Sequence, residues 1–105
     1  MTVHIRDFEA GDIDAVIALW EVSGLTRPWN DPRADISRCL ETATSFLLVA
    51  EAETEPRASM IVGTVMAGYE GHRGWMYYLA SDPEFRREGI GRALVAEAEL
   101  RFEAA

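Results

Sequence analysis

Leu79-Ala80-Ser81-Asp82-Pro83-Glu84-Phe85-Arg86-Arg87-Glu88-Gly89-Ile90-Gly91-Arg92 runs from an apolar segment through a proline-containing turn into a glycine-rich helix start. This is an anion-binding layout. Gly89 and Gly91 lack side chains, so an oxyanion can approach the backbone, where the free N–H groups and positive dipole end of a helix face it. Arg86, Arg87 and Arg92 add positive charge locally. Glycines before a helix also serve as plain turn residues, and arginines there are often only solvated. Two better-known phosphate loops fail on specific residues. A Walker loop needs Gly-Lys-Ser/Thr, and all basic residues here are arginine; a dinucleotide fingerprint needs a third glycine where Leu94 stands.

Upstream of this stretch, Phe46-Leu47-Leu48-Val49-Ala50, Ile61-Val62-Gly63-Thr64-Val65-Met66-Ala67 and Trp75-Met76-Tyr77-Tyr78-Leu79-Ala80 are nearly continuous apolar runs. Such runs predict strands covered on both faces. The turn-rich segments 53–59 and 70–74 between them predict an antiparallel meander. Val3, Ile5 and Phe8 approximate the alternation of an edge-like first strand. Ile13, Val16, Ile17 and Trp20 recur at helical spacing from about Asp12 to Ser23, with Gly24 as a left-handed stop. Asp31-Pro32 reads as an N-cap and first helical residue, followed by Asp35, Ile36, Cys39, Leu40 and Ala43 at helical spacing. From Gly89 to about Phe102, Ile90, Leu94, Ala98 and Phe102 follow one side of a third helix. The order is β-α-α-β-β-β-α, an α/β fold with a mostly antiparallel sheet and helices on both faces, and residues 1–105 are expected to form one domain.

Composition narrows the partners. With 49% apolar residues the chain can build a core, which excludes wholesale disorder. A net charge of −8 disfavours nucleic acid or an anionic membrane as the main partner and favours small neutral or cationic ones. Cys39, His4 and His72 are too few and too scattered for a disulfide framework or a zinc set, so no metal is expected and the reducing cytoplasm is the expected location. No apolar run approaches the roughly 20 residues of a membrane span.

Arg86-Arg87-Glu88-Gly89-Ile90-Gly91 resembles the Arg/Gln-x-x-Gly-x-Gly/Ala signature of the GNAT superfamily of acyl-CoA-dependent N-acyltransferases, and Leu79-Ala80-Ser81-Asp82-Pro83 resembles the strand and turn before it. The element order agrees along the whole chain. The resemblance is closest to small bacterial members sharing Arg27-Pro28-Trp29-Asn30-Asp31-Pro32 and the Gly71-His72-Arg73-Gly74 turn. It implies a GNAT-like fold, with acetyl-CoA or a related acyl-CoA as the acyl donor. Leu79, Ala80 and Ser81 would bind the pantetheine arm by backbone groups. Arg86, Arg87, Glu88, Gly89, Ile90, Gly91 and Arg92 would form the signature loop, whose N–H groups from Arg87 onward cradle the pyrophosphate.

The implied reaction is attack of a primary amine, of a small molecule or a protein amino terminus, on the thioester. An amine of pKa near about 10 must lose a proton first, and a donor must stabilise the oxyanion. A strand N–H near Leu79 suits the second role. The base is open among Glu70, His72, Tyr77 and Tyr78, residues that in such places more often only pack or face water. Trp29 and Asn30 are candidates to hold the acceptor, together with Glu70 and His72, and the competing reading has Trp29 packing and Asp31 capping a helix. Cys39 is expected to be a buried small hydrophobe.

The family continues past its third helix with a parallel strand, a further helix and closing strands. The chain is therefore expected to be shortened, with Trp75–Ala80 an apolar edge that pairs with a second copy in a homodimer. The alternative is a non-catalytic acyl-CoA-binding or interaction module.

Overall fold

The structure is a computed structural model that describes residues 2–54 and 58–104, with the side chains of Thr54, Ala58, Arg86, Arg87 and Glu88 outside that description. β1 (Thr2–Asp7) leads through a short 3-10 turn (Ala10–Asp12) into α1 (Ile13–Val22), followed by α2 (Pro32–Glu41), β2 (Ser45–Thr54), β3 (Ala58–Tyr69) and β4 (Gly74–Ser81). A second 3-10 turn (Pro83–Glu88) precedes α3 (Ile90–Ala104). The expected order of strands and helices is the observed one.

The strands form an antiparallel sheet in the order β1-β2-β3-β4. Side chains on a strand alternate between faces, so the apolar run of β2 feeds two cores. Leu47 and Val49 meet α1 and α2 through Val16, Leu19, Trp20, Ile36 and Cys39. Leu48 and Ala50 join the opposite core, where α3 contributes Ile90, Leu94 and Ala98. Both faces are thus covered by helices. Gly63 allows close approach of α3, since a Cβ there would lie 2.6 Å from Ile90 Cγ2 and 3.0 Å from Leu94 Cδ1.

The helix boundaries follow from local chemistry. The Asp31 carboxylate accepts from the N–H groups of Arg33 (3.1 Å) and Ala34 (3.2 Å), which caps α2 ahead of Pro32. Gly24 takes the left-handed φ of 73° just after α1. Arg6 of β1 donates to Asp12 at 2.8 and 2.9 Å and to Glu51 of β2, and holds both carboxyls below their usual range. It ties the entry of α1 to the sheet.

Two expectations need correction. α2 ends at Glu41, so Ala43 lies beyond it, and Leu40 is 53% exposed while Ile36 and Cys39 are buried. The backbone turns extended at Thr42, and the Ser45 hydroxyl donates to the Cys39 carbonyl at 2.7 Å, which closes the helix a turn early. The second concerns β4: unlike β2 and β3, it is not covered on both faces, with Tyr77 62% and Leu79 47% exposed. β4 has only β3 beside it among the described residues, and its pleat is interrupted by a bulge.

Candidate functional site

The bulge defines the site. Thr64 pairs with Ala80 and Met66 with Tyr77, so Tyr78 and Leu79 together face the single residue Val65. Tyr78 adopts a φ of 54°, the one non-glycine residue with positive φ among those described. For an L-residue that conformation costs about 1–2 kcal/mol. Its compensation is visible on every side of the residue. The ring stacks on Trp20 with centroids 3.9 Å apart and planes 14° from parallel, a contact worth roughly 0.5–1.5 kcal/mol. The Tyr78 carbonyl accepts from the Thr64 hydroxyl at 2.8 Å, and that hydroxyl accepts from Trp20 Nε1 at 2.7 Å. The Tyr78 hydroxyl donates to Asp35 Oδ2 at 2.5 Å. Hydrogen bonds contribute about 0.5–1.5 kcal/mol each, so the set more than offsets the strain.

Beside the bulge, on the face covered by α1 and α2, lies a cavity of about 510 Å³. Trp75, Tyr77 and Tyr78 of β4 form one wall, while Asp35, Arg38 and Cys39 of α2 form the other. Leu25 and Asn30 of the α1–α2 loop close an end. The cavity is thus aromatic and apolar with a few polar groups, the composition of a small-molecule site. Asp35 is held by Tyr78 and by an ion pair with Arg38, whose side chain is 69% exposed. Burial first, and then the Asp35 carboxylate, push the Tyr78 hydroxyl up to about 12. Tyr78 therefore stays protonated at neutral pH and serves as a donor. Burial likewise pushes the Cys39 thiol up, which keeps it from acting as a thiolate nucleophile.

At its far end β4 passes into the signature turn. Asp82 caps the 3-10 turn by accepting from the Glu84 N–H at 2.9 Å, and its own N–H donates to Val62 at 2.8 Å. Gly89 follows with a φ of 73° and open space where a Cβ would stand. Within α3, Ala93 donates to the Gly89 carbonyl at 3.0 Å. The N–H groups of Ile90, Gly91 and Arg92 precede that bond and have no intrahelical acceptor. A Cβ on Gly91 would lie 3.6 Å from Ser81 Oγ, so the end of β4 and the start of α3 adjoin.

The predicted site residues separate into groups. Leu79, Ala80, Ser81, Gly89, Ile90, Gly91 and Arg92 form a continuous run from the bulge to the helix start. Arg86, Arg87 and Glu88 belong to that turn by their backbone, but their side chains lie outside the described residues. Asn30, Tyr77 and Tyr78 line the cavity, whereas Trp29 is 79% exposed and does not. Glu70 and His72 sit in the β3–β4 turn, away from the cavity lining, with Glu70 accepting from Arg73 at 3.2 Å. Sequence reasoning missed Trp20, Asp35, Arg38 and Thr64. The available signal was Asp35, a carboxylate beside the apolar residues of α2.

Among the described residues no group of three or more His, Cys, Asp or Glu side chains is placed to hold a metal ion, and no helix is long and apolar enough to cross a membrane.

Comparison with known proteins gives a consistent result. The family model described as "Acetyltransferase (GNAT) family" matches residues 14–105. A curated relative, Acetyltransferase ECA0875 of Pectobacterium atrosepticum, is 48% identical over 100 residues, covering 95% of this chain and 67% of the relative. A crystal structure of the Trypanosoma brucei acetyltransferase Tb11.01.2886 superposes with a TM-score of 0.74 at 20% identity, over 98% of this chain and 76% of that one. A GNAT family acetyltransferase of Staphylococcus aureus gives a TM-score of 0.65 at 21% identity, over 94% and 76% of the two chains. At those identities the two structures speak for the fold.

Proposed function

Because the chain belongs to the GNAT family of acetyltransferases, enzymes of acyl transfer, we propose that it moves the acetyl group of acetyl-CoA to a primary amine of a small molecule or protein amino terminus. The observation that carries this reading is the position of the β4 bulge, between the aromatic cavity and the open Gly89 turn. The outer edge of β4 at Leu79, Ala80 and Ser81 suits the amide-bearing pantetheine arm, which can pair with it as a strand would. The turn from Arg86 to Arg92 suits the pyrophosphate, with N–H groups at the start of α3 and room above Gly89.

Acetyl-CoA supplies a thioester carbonyl. The amine nitrogen bonds to its carbon, the carbon–sulfur bond breaks, and an acceptor starting as ammonium gives one proton to the departing thiolate and one to solvent. The chain supplies orientation and charge stabilisation. The cavity takes the acceptor: the ring faces of Trp75, Tyr77 and Tyr78 and the carboxylate of Asp35 suit a cationic amine with an apolar body. The Leu79 N–H is the donor toward the developing oxyanion. Water takes the amine proton, since Glu70 and His72 lie away from the cavity lining and Tyr78 at about 12 is too weak an acid to supply a phenolate base. Buried, unpaired Cys39 suits a reducing compartment, so the cytoplasm is the proposed location.

Calorimetric titration with CoA tests the cofactor half. Gly89→Glu places a carboxylate where the pyrophosphate would lie and is expected to reduce affinity at least about tenfold. Gly11→Glu adds the same charge in open space elsewhere and is expected to leave affinity unchanged. Equal CoA affinity in parent and Gly89→Glu would reject the assignment, and absence of amine-dependent CoA release in the parent would reject turnover.

A further inference from the structure

Thr64 is fully buried, the one polar residue in the buried set among the described residues, and it occupies the middle of β3. A buried hydroxyl at such a place needs partners, and those it has are specific. It accepts from Trp20 Nε1 at 2.7 Å and donates to the Tyr78 carbonyl at 2.8 Å. Its donor capacity is therefore spent on the backbone of the bulge, and the Trp20 bond orients the hydroxyl so that its proton faces that carbonyl.

The consequence lies on the other side of the peptide. Across a planar trans peptide the carbonyl and the following N–H point in opposite directions. Drawing the Tyr78 carbonyl toward Thr64 thus turns the Leu79 N–H away from β3, to the outer edge of β4. Tyr78 holds that peptide in a left-handed conformation, and the Trp20 stack and Asp35 bond secure its side chain there. Without the Thr64 hydroxyl the carbonyl loses the partner that fixes the peptide plane, and the extended alternative becomes accessible to Tyr78.

We propose that Thr64, oriented by Trp20, is a positioning residue that sets the Tyr78–Leu79 peptide so that the Leu79 N–H faces the acetyl carbonyl of the donor. This rests on the acetyl-CoA reading above, and it assigns to two residues outside the cavity and the signature turn a role in the chemical step. Thr64 touches neither donor nor acceptor. Its effect is expected in polarisation of the carbonyl and in kcat rather than in the affinity for CoA itself.

Thr64→Val keeps the shape and removes the hydroxyl; Thr64→Ser restores the hydroxyl; Trp20→Phe keeps an aromatic ring, though a smaller one, and removes the Nε1 donor. In the parent, the carbonyl carbon-13 resonance of bound, carbonyl-labelled acetyl-CoA is expected to move from its free position. Thr64→Val should abolish that displacement, with CoA affinity within about twofold of the parent and kcat lowered roughly tenfold or more, as loss of an aimed donor does. Thr64→Ser should restore both, and Trp20→Phe should fall between. Tyr78 backbone carbon shifts, read without ligand, should leave the left-handed range in Thr64→Val and keep it in Thr64→Ser. Unchanged Tyr78 shifts and carbonyl displacement in Thr64→Val overturn the proposal, as does a loss that Thr64→Ser fails to rescue. A parent that binds acetyl-CoA without carbonyl displacement overturns it while the cofactor reading stands. A parent that binds no CoA at all defeats both.

Discussion

Tyr78 concentrates the chemistry of a single residue: a strained backbone, a stacked ring and a hydroxyl committed to Asp35. Its raised pKa gives a direct test. A tyrosine that titrates higher in the folded than in the unfolded state holds its proton more tightly when folded. The associated stability is complete below the ordinary tyrosine range near about 10 and is lost as pH rises toward about 12. The Tyr78 phenol, identified by its loss in Tyr78→Phe, is expected to ionise near about 12 in a spectrophotometric titration. Asp35→Asn should lower that midpoint only partway, because burial is the larger cause and persists. Ionisation of Tyr78 in the ordinary tyrosine range would contradict its burial and the Tyr78–Asp35 contact.

At the scale of elements, the closeness of β3 to α3 places the start of α3 beside the end of β4. Gly63 permits it: an added Cβ would meet Ile90 Cγ2, Leu94 Cδ1 and, at 3.1 Å, the Ala80 carbonyl. The side chains can shift, but the carbonyl belongs to the strand that carries the site. Gly63→Ala is therefore expected to cost about 1–3 kcal/mol, as overpacking does, read as a lower urea midpoint with an unchanged slope. The same displacement should weaken CoA binding, because it moves the helix start relative to Ser81. A midpoint equal to the parent's would show that α3 gives way freely.

For the whole molecule, the decisive feature is the free side of β4. Among the described residues it has no second neighbour, and Tyr77 and Leu79 are exposed along it. An unpaired apolar edge pairs readily with another strand, so the 105-residue chain is expected to form a symmetric dimer through β4. Pantetheine would use the same backbone groups, so the two equilibria oppose each other. Light scattering over a concentration series should show dimer without CoA and a shift toward monomer with it. A monomer at high concentration contradicts the association, and a dimer unchanged by saturating CoA contradicts the competition.

Much of this was legible in the sequence because it depends on neighbours along the chain. Asp31-Pro32 caps α2, Gly24 takes left-handed backbone, and the apolar runs of β2 and β3 require helices on both sheet faces. The signature turn from Arg86 to Gly91 likewise lies within one short segment, which is why it pointed to the family. The cavity and the bulge were not legible, since each joins residues far apart in sequence. Trp20 and Thr64 meet across 44 positions, Asp35 and Tyr78 across 43, and nothing local in β4 marks Tyr78 for a positive φ. Pattern and propensity act over one element and so settle which elements form and where they end. Only the tertiary structure, by bringing α1, α2 and β3 against β4, decided which peptide is turned and which side chains surround it.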